Sequence, residues 1–335
     1  MNPLQQIVAV VDPGMQPGAA LPRAAELARR SGARLRLFMG AYAPMIDAGR
    51  DLAGGKVRKL ARNEYLEIRR HWLDRQAAPL IDAGLRVDCE VIWTSELHQA
   101  LIAYAWACKA DLVIKDLMPP RKGATRMPLS AADWRVARTC PSALMFVRQD
   151  SGMLPRRIAA AVDVGLDRGD SPHPLNEVIA GIGAGVAALA GAELHVVHAF
   201  PYRRPLLAVE VSGDLRALYA DVHRTAQANF RRFTHEHGIA ADRQHWITTS
   251  GDVADALARF ARAQAIDLLV IGSSYHSIIS RLLLGSAAEG ILRHADCDVL
   301  LVKPADFGEQ LRRQYDLAAL LDAMRFDTVP TAAAA

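Results

Sequence analysis

The sequence predicts two tandem α/β domains, each a five-stranded parallel sheet flanked by helices. Three observations predict it. Short β-rich runs alternate with helical stretches through the first 150 residues, and strands that alternate with helices build a parallel sheet covered on both faces. After the connector "RQDSGMLPRR" (148–157) the same order starts again, and a repeat at about half the chain means duplication of a whole domain, since solenoid repeats run at roughly 20–50 residues. With 335 residues, 51% of them hydrophobic, the chain is long enough for two ordinary cores.

The elements follow in order. "QIVAVVD" is a β-rich run, Ala19 to Arg30 has helical composition, "RLRLFMGAY" is a second strand, and Val57 to Ile81 is a long helix. "RVDCEVIW" is the third strand, Glu96 to Lys109 a helix, "DLVIKDL" the fourth strand and "ALMFVR" the fifth. In the second half "RIAAAVDVG" repeats "QIVAVVDPG", with Asp163 answering Asp12, and "GAELHVVHAF" repeats "GARLRLFMGAY". Leu215 to His237 repeats the long helix, "DLLVIGSS" answers "DLVIKDLM", and "CDVLLVKP" closes the second sheet. The predicted domains are 1–150 and 156–304. In 305–335, "FGEQLRRQYDLAALLDAMRF" reads as one more helix and "TVPTAAAA" as a frayed tail.

Helical spacing assigns the faces. Leu215, Leu218, Tyr219, Val222, Ala226, Phe230 and Phe233 form a core stripe with Arg224 and Arg231 opposite. In the first half Val57, Leu60, Ala61, Ile68 and Trp72 make a similar stripe. Glu64 falls within it and needs a partner if buried. Lys115, at the end of an apolar strand, likewise calls for a partner such as Asp116 or Asp12, or else snorkels at the strand end.

Composition removes several function classes. The net charge is +4 from 40 basic and 36 acidic residues, with both signs interspersed and no single-sign run that would mark a nucleic-acid or acidic-lipid surface. Cys89, Cys108, Cys140 and Cys297 form no CxxC, against a structural zinc, a redox pair or a disulfide scaffold. No apolar run approaches the roughly 18 residues of a membrane span, and the N-terminus moves straight into a strand. The expectation is a soluble cytoplasmic protein.

The chemistry-bearing stretch is "VIGSSYHSIISRLLLGSAAEG", from Val270 to Gly290. Gly272 ends the fourth strand of the second half, where open α/β sheets place their ligand crevices. Gly285 and Ser286 then lead into a helix whose N-terminal amides suit an anion. "SAAE" also reads as a capping box that satisfies those amides without a ligand. The first half has "LSAAD" (129–133) at the corresponding place, with Leu129 for Gly285, Asp116 for Gly272 and Pro119 for Tyr275. A carboxylate repels phosphate, so the first half is expected to bind no nucleotide.

These residues carry a resemblance. The spacing of Gly272, Gly285 and Ser286, the tandem order, and "VVDP", "RTCPSALMFVR" and "CDVLLVKP" make residues 5 to 304 resemble the universal stress protein family, in its E-type tandem form. The resemblance implies a flavodoxin-like arrangement and pairing of the two last strands, Leu144 to Arg148 and Val299 to Lys303, within the chain, with a homodimer as a further possibility. It also points to a weak nucleotide site in the second domain. Asp163 matches the position near the adenine, Ala199 a backbone contact to the base, and Gly272, Gly285 and Ser286 the phosphate and ribose loop; no cofactor is assigned, and ATP is the nucleotide this domain would take. Tyr275 departs from the pattern, standing where the second Gly belongs. Gly admits positive φ and close backbone approach, whereas Tyr brings a Cβ and a ring.

Other motifs carry less. Around Gly54, Gly55 and Lys56, "GRDLAGGKV" misses the P-loop spacing by one residue and has Val57 for the hydroxyl. His235 and His237 do not share a helix face, and His195 and His198 point to opposite faces of a strand. Ser273, Ser274 and His276 have no GxSxG elbow or acidic partner. The sequence therefore reads as a non-enzymatic stress-response protein that binds a small-molecule ligand or a protein partner. One alternative is a nucleotide-dependent switch with slow ATP hydrolysis. The other is a carrier of an apolar or amphipathic acid in the first domain, lined by Met127 and Leu129.

Overall fold

A computed structural model of the chain describes residues 4–48, 55–117, 129–164, 174–201, 213–273, 284–317 and 319–320. They fall into two units. The first comprises the described residues up to 117, 129–153 and those from 306 onward; the second is drawn from 154–305. Pro119, Met127, Ser274, Tyr275, His276, Gly54 and the C-terminal tail lie outside the described residues.

The first unit runs β1 (Gln6–Val10), α1 (Ala20–Ser31), β2 (Arg34–Ala41), α2 (Pro44–Ala48), α3 (Gly55–Asp82), β3 (Val87–Trp93), α4 (Leu97–Ala107), β4 (Leu112–Asp116), α5 (Ala131–Thr139) and β5 (Ala143–Val147). The second runs β6 (Arg157–Ala161), α6 (Pro174–Ala190), β7 (Glu193–Pro201), α7 (Gly213–Glu236), β8 (Gln244–Thr249), α8 (Val253–Ala263), β9 (Leu268–Gly272), α9 (Ser286–His294) and β10 (Asp298–Val302). The strand orders are β3-β2-β1-β4-β5 and β8-β7-β6-β9-β10, with every pairing parallel. Central strands carry continuous apolar runs because helices cover both faces: Ile7 to Val10, Leu112 to Ile114 and Leu268 to Ile271 are all buried.

The duplication extends to single hydrogen bonds. Asp111 Oδ2 accepts from the amides of Gln5 and Gln6 at 2.7 and 2.8 Å, fastening the start of β4 to the start of β1. Asp267 Oδ2 does the same for Arg156 and Arg157 at 2.7 and 2.9 Å. Lys109 and Ala265, which end the preceding helices, both take the left-handed conformation, at φ 50° and 49°.

In each unit the strand neighbours of β1 or β6 are reached in opposite directions along the sheet. This creates a switch point at the carboxyl ends of β1 and β4, and of β6 and β9.

Three expectations about helices need correction. In α3 the buried residues are Leu66, Leu73 and Ala77, while Val57, Leu60 and Ile68 are exposed, as is Glu64, which therefore needs no partner. The reason is a rival set of contacts. Arg62 stacks 4.8 Å over Trp93, Tyr65 packs edge-on to Trp93, and Arg69 lies 3.3 Å over Tyr65. An arginine–aromatic ladder thus takes the place of an aliphatic stripe. In α7, by contrast, Ala226, Phe230 and Phe233 are buried and Arg224 and Arg231 exposed, as read from the spacing; the side chains of Leu215, Leu218 and Tyr219 are outside the description.

The C-terminal helix is the second correction. Instead of running on from Phe307, α10 (Phe307–Gln314) stops at Tyr315, which turns extended. Asp316 then opens a new turn, accepting from Ala319 through Oδ1 and from Leu320 through its carbonyl, each at 3.0 Å. Within the first unit, α10 sets Gly308 against Trp106, where a Cβ would lie 2.9 Å from Cζ3, and Arg312 lies 5.7 Å from that ring. The third correction concerns the start of α9. Its N-cap is Gly285, so Ser286 is the first helical residue and "SAAE" forms no capping box there, because the Glu289 amide already bonds the Gly285 carbonyl at 2.9 Å. The box is present on α5, between Ser130 and Asp133.

Candidate functional site

The carboxyl end of each sheet is where the two units part company. In the first, Asp116 is the last residue of β4. Helix α1 has Ala19 at its N-cap and no capping side chain of its own. Asp116 supplies one from across the sheet, with Oδ1 accepting from the Ala19 and Ala20 amides at 2.8 and 2.9 Å. The fit requires glycine at Gly18, since a Cβ there would lie 2.0 Å from Asp116 Oδ2. Burial raises the Asp116 pKa against the opposing pull of the two amides and Lys115.

The neighbouring Lys115 finds its partner where the sequence did not point. Its ammonium sits 2.7 Å from Asp133 Oδ1, on the first turn of α5, and 3.1 Å from the Asp116 carbonyl. Neither Asp12 nor the Asp116 carboxylate is its ion-pair partner. Asp133 is 1% exposed, and its Oδ2 also accepts from the Ser130 amide and hydroxyl at 2.9 and 2.7 Å. The amides and the carboxylates at this end of the first unit are thus engaged with one another.

The second unit differs residue by residue. Gly272 replaces Asp116, so no carboxylate projects from the last residue of β9. The space beside Gly272 is filled from α6: a Cβ there would meet Leu175 Cδ2 at 2.5 Å and Ile179 Cδ1 at 2.9 Å. Packing therefore gives this glycine a reason independent of any ligand, since a side chain here would have to displace Leu175 and Ile179. Asp163, just beyond β6, is exposed, and its backbone is clamped by Asn176, whose Oδ1 accepts from the Asp163 amide at 2.9 Å while Nδ2 donates to its carbonyl at 2.6 Å.

Ala199 is buried on β7, the other neighbour of β6. Gly285 is extended, at φ −61° and ψ 147°, and needs no positive φ; Ser286 is exposed on the first turn of α9. The fold therefore brings Asp163 and Gly272 to the ends of paired strands β6 and β9, with Ala199 on β7 alongside. Tyr275 is outside the described residues.

Sequence reasoning missed Asn176, which is 2% exposed. Its only sequence signal is an amide side chain in the first turn of an apolar helix, "PLNEV". It also missed a cluster on β7 and β8. His195 Nδ1 lies 2.9 Å from His245 Nε2, and on the opposite face His198 packs against Trp246 with ring centroids 4.8 Å apart. Burial lowers the pKa of all three histidines; for His245 the His195 charge adds to the effect. Among the described residues no group of three His, Cys, Asp or Glu is placed to hold a metal ion.

A cleft of about 370 Å³ opens in the first unit between Pro17, Gly18, Ala19 and Pro22 on one side and Gln149, Ser151, Gly152 and Met153 on the other. Leu129 is not part of its wall. Among the described residues no helix is long and apolar enough to cross a membrane.

A model of the universal stress protein family matches residues 3–148 and again 155–303. The chain is 25% identical over 309 residues to Universal stress protein E of Escherichia coli K12, covering 90% of this chain and 95% of that one. It is 24% identical over 313 residues to the protein of the same name from Photorhabdus laumondii, covering 90% and 96%. Among solved structures, a functionally unknown protein from Pseudomonas aeruginosa PAO1 matches with a TM-score of 0.71 at 24% identity, over 93% of this chain and 96% of that one. A universal stress protein from Archaeoglobus fulgidus matches at 0.58 and 12% identity, over 88% and 98%. At these identities the likeness to solved structures is one of fold.

Proposed function

Because the chain belongs to the universal stress protein family, with both halves matched by its model, we propose that it is a non-enzymatic cytoplasmic stress-response protein acting through a bound ligand or a protein contact. Its second unit is the one open to a nucleotide such as ATP, held weakly, and its first unit is closed. The observation that carries this reading is the exchange of Asp116 for Gly272 between equivalent strand ends. In the first unit a carboxylate already takes the helix-start amides of α1 and would repel a phosphate. In the second no such carboxylate stands at the end of β9, where Gly272 is the last residue, while exposed Asp163 follows β6 and Gly285 and Ser286 start α9.

Calorimetric titration of ATP into the full chain tests it. Weak binding is expected in the wild type, abolished by Gly285→Leu, which installs the residue of the first unit, and unchanged by Asp116→Asn. Tyr275→Gly should tighten binding by about tenfold. The gain is one charge-assisted hydrogen bond to phosphate, about 1.5–3 kcal/mol, less about 0.5–1 kcal/mol for a looser loop. Binding that survives Gly285→Leu, or none in either the wild type or Tyr275→Gly, would remove the nucleotide site from the second unit.

A further inference from the structure

Strands β7 and β8 place His198 directly beside Trp246 as register partners on one face of the second sheet. By the strand registers, the equivalent pair in the first unit is Met39 and Val91, both buried and apolar. One repeat therefore fills this place with two apolar side chains, and the other with two rings that carry polar nitrogens. His198 is 2% exposed. Phe200 and Phe230 pack against both rings, and His223 stands edge-on to Trp246 at 5.5 Å.

The polar atoms of this pair are not all used. His198 Nδ1 lies 2.9 Å from the Val162 carbonyl. A carbonyl only accepts, so Nδ1 carries the proton, and in the neutral ring Nε2 is left as an acceptor. That Nε2 is buried and has no hydrogen-bond partner among the described residues. The same holds for Trp246 Nε1, which can only donate. A buried acceptor and a buried donor, on adjacent rings, stand unsatisfied together, whereas buried polar groups in folded proteins almost always have a partner.

The chemistry of the missing partner follows from the two roles. A single partner that serves both, as the ring centroids 4.8 Å apart invite, would accept from the indole and donate to the imidazole. A phosphate, carboxylate or carbonyl oxygen only accepts, and an ammonium only donates. An oxygen that carries its own proton does both with one atom. We propose that His198 Nε2 and Trp246 Nε1 together hold one hydroxyl-bearing oxygen in the interior of the second unit, supplied by a buried water or by the hydroxyl of a small ligand. The site is independent of the nucleotide reading, because it uses neither the loop after β9 nor Asp163.

Nitrogen-15 NMR of the full chain tests it at neutral pH, with His198→Met and Trp246→Phe used for assignment. The His198 ring should show the Nδ1–H tautomer with a hydrogen-bonded Nε2. The Trp246 indole proton should cross-relax either with a long-lived water or with non-exchanging protons of a co-purified molecule, and mass spectrometry of the denatured protein separates those two sources. In His198→Met, which copies the first unit, that cross-relaxation should be lost. An Nε2–H or doubly protonated His198, an indole proton with no bonded neighbour, a partner hydroxyl from this chain itself, or cross-relaxation that persists in His198→Met would each overturn the proposal.

Discussion

Replacing Asp116 probes whether the first unit is closed by its own carboxylate. Asp116→Ala removes the acceptor of two helix-start amides, at 2.8 and 2.9 Å. Loss of an N-cap costs about 0.5–2 kcal/mol, and hydrogen bonds to charged groups are at the upper end of the hydrogen-bond range. Burial works the other way. The Asp116 pKa is raised, chiefly by desolvation, so its ionised form is held less well in the folded chain than in water. The stability linked to its protonation is full below the unfolded carboxylate pKa and is lost as pH rises through the folded value. At neutral pH the charge is therefore a net cost, and only the acceptor geometry helps.

Two variants separate these contributions. Asp116→Asn keeps a neutral oxygen for the amides and is expected to leave stability at pH 7 unchanged or slightly higher. Asp116→Ala is expected to cost about 1–2 kcal/mol, the loss of two charge-assisted capping bonds less the desolvation it relieves. For a unit of this size that is a fall in melting temperature of roughly 2–8 °C. The assay is calorimetry of the full chain together with hydrogen exchange at the Ala19 and Ala20 amides, which should quicken in Asp116→Ala and stay slow in Asp116→Asn. If Asn is as damaging as Ala at pH 7, the charge itself holds the helix and the reasoning fails.

Two further outcomes follow from the second unit. Gly272→Ala should destabilise it by about 1–3 kcal/mol with no nucleotide present, because its Cβ would sit 2.5 Å from Leu175; Leu175→Ala in the same chain should recover part of the loss, and a neutral Gly272→Ala would show that packing does not require the glycine. Three desolvated histidines make that unit acid-sensitive. With the folded pKa of His195, His198 and His245 lowered, the unfolded chain binds more protons once pH drops below about 6.5. Stability is then full above that pH and declines below it, by at most about 1.4 kcal/mol per pH unit for each ring, until the folded values are passed. Denaturant titrations of the wild type and of His195→Gln at pH 7.5 and 5.5 measure this, and a flat wild-type profile would refute it.

The local order of this chain is written in its sequence. Strand runs such as "QIVAVV" and "DLLVIG" are continuous in apolar residues because helices cover both faces of the sheet, and "LSAAD" specifies its own helix start, since Ser130 and Asp133 bond each other within one turn. The repeat of Asp111 in Asp267 likewise follows from matching positions. What depends on distant partners was not legible. In α3, spacing alone did not choose between an aliphatic face and the Arg62, Tyr65 and Arg69 face, because Trp93 lies on another strand.

Lys115 pairs with Asp133, a residue 18 positions away, because β4 and the start of α5 meet at the sheet's carboxyl end. The same end decides the fate of the candidate site. Asp116 stood in the sequence as the counterpart of Gly272, and only the fold sets it on the α1 amides; Gly272, read as part of a phosphate loop, also has Leu175 and Ile179 of α6 packed against it. Residue type and spacing encode bonds that close within a turn or a strand. Which charge meets which helix end is settled only when the sheet brings residues roughly a hundred positions apart into contact, and there desolvation and packing, rather than propensity, select the partner.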